Sequence, residues 1–188
     1  VVETISHLAE RRGTQIYLVG MNESITTWYL QLLDQADFTP RYLQDKNLQV
    51  VEVKIKEYRY NRFLYQLVGE QWSWTDKLSW SEEDWRMYAE DENLKTYVAY
   101  YSGTPAGYFE LHREEEGNVK IEYFGLSPRF IGKGMGSHVL SCAIAEAWAL
   151  EARRVWVHTC SLDHPSALHN YKARGMKVYD VKTAPNND

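Results

Sequence analysis

Apolar positions along this chain follow two periods, and the change from one to the other falls at a glycine-rich stretch. Val119 to Leu126 crowds apolar and aromatic side chains into eight positions and reads as a strand. Beyond the stretch, Val139, Leu140, Ala143, Ile144, Ala147 and Trp148 recur at steps of three and four, which predicts an amphipathic helix from about Gly134 to Ala152. Upstream, Leu48 to Ile55 alternates as a strand. Tyr58 to Val68 sets Phe63, Leu64, Leu67 and Val68 on one helical face and ends at Gly69, the residue type of a helix cap. Ser81-Glu82-Glu83-Asp84 has the form of an N-cap followed by first-turn acids, opening a helix through about Glu90. Thr96 to Tyr101 and Ala106 to His112 form a hairpin around Ser102-Gly103-Thr104-Pro105, and Arg113 to Asn118 is a solvated turn. Gly125, near the end of its strand, predicts a bulge or a close backbone approach. After the long helix come a strand from Arg154 to Thr159, a helix from Pro165 to Ala173 and a strand from Met176 to Val181.

The two ends are less regular. Val1 to Arg12 suits a short helix and Gln15 to Val19 a strand. Ile25 to Leu33 fits both periods, with Thr26 and Thr27 favouring a strand. Residues 1–47 form a poorly readable extension, and Thr183 to Asp188 is expected to fray. No linker, repeat or low-complexity segment divides the chain, so residues 1–188 are expected to form a single domain.

Composition narrows the class. With 44% hydrophobic residues in 188, the chain can bury a sizeable core. A net charge of −5 argues against a nucleic-acid partner, which needs clustered lysine and arginine. It suits attraction of a cationic amine, although most of these carboxylates belong on the solvated surface. No apolar run approaches a membrane span, and the first residues lack a signal peptide's apolar stretch. Cys142 and Cys160 have no metal-ligand spacing, so no metal is expected and a reducing cytoplasm is.

The decisive stretch is Ser127-Pro128-Arg129-Phe130-Ile131-Gly132-Lys133-Gly134-Met135-Gly136-Ser137. Glycines there let the backbone take positive φ and approach a ligand, and the helix start that follows offers unpaired N–H groups to an anion. A phosphate-binding P-loop would need Lys and then Ser or Thr after its last glycine, whereas Lys133 lies between glycines. A dinucleotide fingerprint would need glycine where Ser137 stands, and room for more strands than follow. Arg129-Phe130-Ile131-Gly132-Lys133-Gly134 instead matches Arg/Gln-x-x-Gly-x-Gly/Ala, the coenzyme A pyrophosphate loop of the GCN5-related N-acetyltransferases (GNATs). A second stretch, Asp163 to Met176, is similar to that family's Asn-x-x-Ala-x-x-x-Tyr-x-x-x-Gly-Phe. Ala167, Tyr171 and Gly175 fall in place, while His164 stands for asparagine and Met176 for phenylalanine.

The resemblance covers about Leu48 to Val181. It implies an α/β (α+β) GNAT fold, a mixed, mostly antiparallel central sheet with helices on both faces. It also implies acetyl-CoA as acyl donor and direct attack by a small-molecule or peptide amine, with a homodimer left open. The backbone from Phe130 to Ser137, including Ile131, Gly132, Met135 and Gly136, would hold the pyrophosphate, with Arg129 or Lys133 adding charge and Gly134 allowing its approach. The N–H of Leu126 or its neighbour would take the thioester oxyanion, in a slot where the strand splays from the next one. Glu122, sharing a nominal face with Phe124 and Leu126, is the candidate base, with His158, Asp163 and Glu110 as rivals. Tyr171 matches the helix tyrosine whose phenol reaches the coenzyme sulfur. His164 would bond the pantetheine arm or cap the following helix, and a nucleophilic Cys160 near His158 is disfavoured by direct transfer.

Between the two short helices lies Gln71 to Trp80, which holds Trp72, Trp74 and Trp80. It either roofs the core or lines a pocket in which Trp72, Trp74 and Asp76 would suit a cationic or aromatic amine. Alternatives on the same fold are a longer acyl-CoA, a protein lysine or N-terminal acceptor, or a non-catalytic CoA-binding sensor.

Overall fold

The computed structural model of the protein describes residues 24–185. The helix expected at Val1 to Arg12 and the strand at Gln15 to Val19 lie outside the described residues. In chain order the elements are β1 (Ser24–Leu32), β2 (Leu48–Glu52), α1 (Tyr58–Gly69), α2 (Glu82–Ala89), β3 (Leu94–Tyr101), β4 (Thr104–Arg113), β5 (Asn118–Leu126), α3 (Met135–Ala149), β6 (Arg154–Cys160), α4 (Ala167–Ala173) and β7 (Lys177–Pro185). They build a 7-stranded sheet in the order β2-β3-β4-β5-β6-β1-β7. Every neighbouring pair is antiparallel except β5 with β6.

Alternation along the central strands divides two cores. Tyr97, Ala99, Phe109 and Leu111 pack with α3 and α4 on one face. Val98 and Tyr108, each next to one of these in sequence, pack with Leu64 and Val68 of α1 on the other. The mixed sheet with helices on both faces is therefore as expected. The hairpin is tighter than its sequence suggests. Ser102 and Gly103 both have positive φ, so they form the whole two-residue loop, and Thr104-Pro105 already belongs to β4. The first-turn acids of α2 do more than balance the helix dipole, because Ser81 and Asp84 cap each other reciprocally.

Several local expectations need correcting. The buried face of α1 is Asn61, Leu64, Tyr65 and Val68, and Phe63 is exposed, stacked on Tyr60. Gly69 is no left-handed cap, since it is the last helical residue and the C-cap Glu70 is right-handed. It is glycine because a Cβ there would lie 2.6 Å from the Trp74 side chain. Thr183 to Pro185 are not frayed, because they extend β7 along Ser24 to Thr26 of β1.

The most consequential correction concerns β5. Register runs from Glu110↔Tyr123 to Leu111↔Ile121, so the bulged residue is Glu122 and not a neighbour of Gly125. The extra residue resets side-chain parity, so Val119, Ile121, Phe124 and Leu126 all meet the α3/α4 core while Tyr123 faces α1 and α2. Unbroken alternation forbids that set, and Glu122 does not share a face with Phe124 and Leu126. Gly125 serves close approach instead, since a Cβ there would stand 2.4 Å from Val68 Cγ1 of α1.

Gly175, after α4, combines both demands on a glycine. Its φ is +94°, and a Cβ would lie 2.0 Å from the Asp37 carbonyl oxygen. The chain from Asp37 crosses the end of α4 here, with the Thr39 N–H donating to the Arg174 carbonyl at 3.1 Å. Gly175→Ala must strain its own backbone and displace that crossing. It should lower stability by about 2 kcal/mol or more in urea unfolding, while Gly103→Ala, where a Cβ meets nothing, should cost only its backbone strain.

Candidate active site

β5 and β6 pair only from Asn118↔Arg154 to Lys120↔Trp156. Beyond that point β5 stays with β4, and β6 stays with β1 as far as Thr27↔Cys160. The two strands part as the resemblance implies. A cleft of about 650 Å³ fills the gap, lined by β5 from Ile121 to Leu126, by Val157, His158 and Cys160 of β6, and by the starts of α3 and α4.

The loop after β5 is shaped by where its side chains can be buried. A short 3-10 turn, Pro128–Phe130, drives Phe130 into the core against Tyr101. Gly132 and Gly134 then take φ of +80° and +77°, and α3 begins at Met135 with no side chain capping its first turn. Its leading N–H groups are left for water or a ligand. Ile131, Gly132, Gly134, Gly136 and Ser137 line the cleft. Arg129 and Lys133 are exposed outside it, the latter over the Phe130 ring, and Met135 is buried in the core. Those three candidates, like Phe130, can contribute to a cleft ligand only through their backbones or, for the two cations, through side chains that move.

The Ser127 N–H donates to the Ala106 carbonyl at 2.9 Å. By alternation along an antiparallel ladder the Leu126 N–H points to the other edge of β5, the edge β6 has left. Tyr171 of α4 is buried with its ring edge-on to Phe124, and it too lines the cleft. Burial, helped by the Asp163 carboxylate, pushes its phenol pKa well up. Glu122 reaches the cleft from its bulge and pairs with Lys120 at 2.8 Å.

Among the rival bases, Asp163 is occupied, accepting from Thr159 Oγ1 at 2.7 Å and from the Cys160 N–H at 2.9 Å. His158 lies on the cleft wall, open to it. His164 accepts the Ser166 N–H on Nδ1 at 3.0 Å, closing the turn before α4, and meets Trp72 edge-on at 5.0 Å. That contact ties the Trp72 segment to the far side of the cleft. The cysteines are free, and burial raises both thiols, Cys142 to about 11.

The profile of the Acetyltransferase (GNAT) family matches residues 61–176. The chain belongs to that family. No curated protein matches it. Among solved structures, the fold is similar to a GCN5-related N-acetyltransferase from Kribbella flavida (13% identity, TM-score 0.61, 83% of this chain and 55% of that one). It is also similar to one from Sphaerobacter thermophilus (14%, TM-score 0.63, 96% of this chain and 55% of that one). A third likeness is to an aminoglycoside acetyltransferase from an uncultured soil metagenomic sample in complex with trehalose (13%, TM-score 0.58, 69% and 88%). At these identities the likeness is one of fold, and the chain spans little more than half the length of the first two structures.

Within this GNAT fold the tryptophan segment both roofs the core and lines the cleft. Trp74 packs on Tyr65, Tyr108 and Tyr123, while Trp72, Trp74 and Asp76 border the cavity. Asp76 is less free than its exposure suggests. It accepts the Tyr65 hydroxyl at 2.7 Å and the Tyr123 hydroxyl at 2.6 Å, with Lys77 Nζ at 3.8 Å. Lys77 was not singled out by its sequence. Its ammonium sits 3.7 Å from the Trp80 ring centroid and 4.4 Å from that of Tyr88, and burial lowers its pKa. Asn170 was also missed, and it ties α4 to the loop through Ser137 Oγ and the Gly136 carbonyl, each at 3.2 Å. So were Arg41 and Arg174, both on the cleft. Arg174 directly precedes the motif glycine and was legible; nothing near Arg41 marks it.

Glu110 is fully buried off the cleft, accepting from Asn61 Nδ2 at 2.7 Å and from the Tyr88 hydroxyl. Burial pushes its pKa up to about 7, against the opposing pull of those two hydrogen bonds. Below its ordinary value of 4.5 the carboxyl is protonated whether folded or not; between 4.5 and 7 the unfolded chain loses the proton first. Stability therefore falls as pH rises through that window. Glutamine can satisfy the same neighbours, because the Tyr88 hydroxyl can accept from its amide. Urea melts of wild type against Glu110→Gln should show wild type losing about 1–3 kcal/mol relative to the variant between pH 5 and 8.

Gly136 separates a turn requirement from a ligand requirement. Unlike Gly134 it has no positive φ, and a Cβ would meet only Asn170 Nδ2 and Leu126 Cδ1 at 3.8 Å. Its side of the cleft is space the fold itself leaves open. Gly136→Val should fold with a melting temperature within a few degrees of wild type, yet bind coenzyme A about tenfold or more weakly by calorimetry.

Proposed function

We propose that the chain transfers an acetyl group from acetyl-CoA to an amine by direct attack on the thioester carbonyl. The observation that carries this reading is the slot between β5 and β6, which ends at the uncapped start of α3 and has the Tyr171 phenol in its wall. The donor supplies the acyl group as an activated thioester. The N–H groups from Gly132 to Ser137 hold its pyrophosphate, aided by the dipole of α3. The Leu126 N–H donates to the carbonyl oxygen as negative charge develops there. An open strand edge beside a cleft and an orphaned helix start both fit this ligand.

Glu122 takes the ammonium proton, directly or through water, so that the neutral amine can attack. As the new C–N bond forms, the C–S bond breaks, the Tyr171 hydroxyl donates to the departing sulfur, and the nitrogen's second proton leaves through water, which restores the phenol. A raised pKa supports a phenol protonated at neutral pH, a donor and not a base. The acceptor lies toward Trp72, Trp74 and Asp76, which favour a cationic or aromatic amine on a small molecule or peptide. Raised pKa values for both thiols support direct transfer over a Cys160 acyl intermediate, and free thiols suit a reducing, cytoplasmic setting.

Tyr171→Phe keeps the ring against Phe124 and removes only a hydroxyl that faces the cleft. Acetyl-CoA should raise the melting temperature of wild type and variant alike. Turnover with an amine panel should fall roughly a hundredfold, in kcat more than in KM, because the proton is needed only as sulfur leaves. Unchanged turnover would remove the acid role, and wild-type coenzyme binding without turnover on any amine or peptide would favour a sensor.

A further inference from the structure

Two guanidinium groups share one end of the cleft, and among the described residues neither has an acidic partner. Arg174 follows α4 and is only 6% exposed. Its Nε donates to the Ala173 carbonyl at 3.0 Å, while Nη1 is buried with no hydrogen-bond partner among the described residues. Arg41 arrives from the segment that crosses the end of α4. That segment is pinned by hydrogen bonds that include Thr39 N–H to the Arg174 carbonyl at 3.1 Å, Arg41 N–H to Ser141 Oγ at 2.9 Å, and Leu43 N–H to His138 Nδ1 at 3.0 Å. Ser141 and His138 both belong to the first turns of α3, so this crossing lies beside the glycine loop, with Leu43 Cδ2 3.5 Å from a Cβ built on Gly134. Among the described residues no carboxylate pairs with either arginine; Asp37, in the crossing segment, is held by Lys177 at 2.6 Å.

A buried guanidinium without an anion carries an uncompensated desolvation cost, and a second cation beside it adds repulsion. Nearby charge and burial act together here, since both lower the Arg174 pKa. Such a pair is stable in use only when an anion completes it, and paired guanidiniums are the preferred partners of a phosphate dianion.

We propose that Arg41 and Arg174 form a second phosphate subsite that takes the 3′-phosphate of coenzyme A. This rests on the coenzyme reading above. Coenzyme A carries two separated anionic groups, a pyrophosphate and a phosphomonoester on the ribose. The glycine loop and the α3 start supply backbone donors for the first. The arginine pair stands at the flank of that loop and supplies full charge for the second. The pair therefore selects the 3′-phosphorylated coenzyme from its dephosphorylated precursor.

Calorimetric titration of the whole chain with coenzyme A and with 3′-dephospho-coenzyme A tests this. Wild type should bind coenzyme A about ten- to a hundredfold more tightly. Arg174→Gln and Arg41→Gln should each weaken coenzyme A while leaving dephospho-coenzyme A unchanged, bringing the ratio toward one. Arg41 is exposed, so its variant carries the test even if Arg174→Gln fails to fold. Equal wild-type affinities would overturn the subsite. So would variants that weaken both coenzymes equally, which would assign the pair to the pyrophosphate. Wild type binding neither coenzyme would instead overturn the coenzyme reading itself, a result distinct from equal binding.

Discussion

The short parallel pairing of β5 with β6 is the constraint on which the rest depends. Three residues of ladder hold the strands, and then each follows its antiparallel neighbour, β5 with β4 and β6 with β1. The parting leaves the inner edges of both strands with N–H and C=O groups that no strand satisfies. Such groups are tolerable only where water or a ligand reaches them. The cleft is thus a consequence of sheet geometry, and α3 and α4 close its sides because their apolar faces need the same core.

The bulge at Glu122 is the second device, and it works with the first. One extra residue lets β5 present core residues on both sides of the bulge and still turn Glu122 toward the opening and Tyr123 toward α1 and α2. Behind it lies a dense polar layer. Tyr65 and Tyr123 share Asp76, Lys77 sits against Trp80 and Tyr88, and Glu110 binds Tyr88 and Asn61. Each member has a partner, which is what makes burial of so many polar groups affordable. The layer joins β4, β5, α1 and α2, so the position of the Trp72–Asp76 segment is set by hydrogen bonds as well as by packing.

The order of elements from Leu48 onward and the glycine loop were legible because each rests on a local pattern: a period, a cap, or a turn with its required residue types. What was illegible depends on contacts between distant parts of the chain. Alternation breaks at Tyr123-Phe124, but that break alone does not say which residue is extra, because the bulge at Glu122 is set by the register against β4. Gly69 and Gly125 looked like backbone signals but answer to Trp74 and Val68, neighbours that only the fold brings close. Phe63 and Leu67 are as apolar as Leu64 and Val68, and the buried face is the one on which Tyr65 finds Asp76 of the tryptophan segment and Asn61 finds Glu110 of β4. Arg41 lay in the least periodic region, where hydrogen bonds to α3 and α4 hold the backbone in place of a strand or helix.

Charge along the cleft follows from the same contacts. The bare start of α3 and the two arginines make one end positive, while Glu122 and Asp76 lie with the tryptophans. Overall the chain carries −5, yet that figure says nothing of this separation, because most carboxylates are solvated and screened within about 10 Å. Inside the cleft the screening is weaker and local groups decide. Under the proposed function, a donor with an anionic tail and an acceptor with a cationic head would be oriented oppositely by the two ends, and the field along the slot would favour the arrangement in which the thioester and the amine meet beside Leu126 and Tyr171.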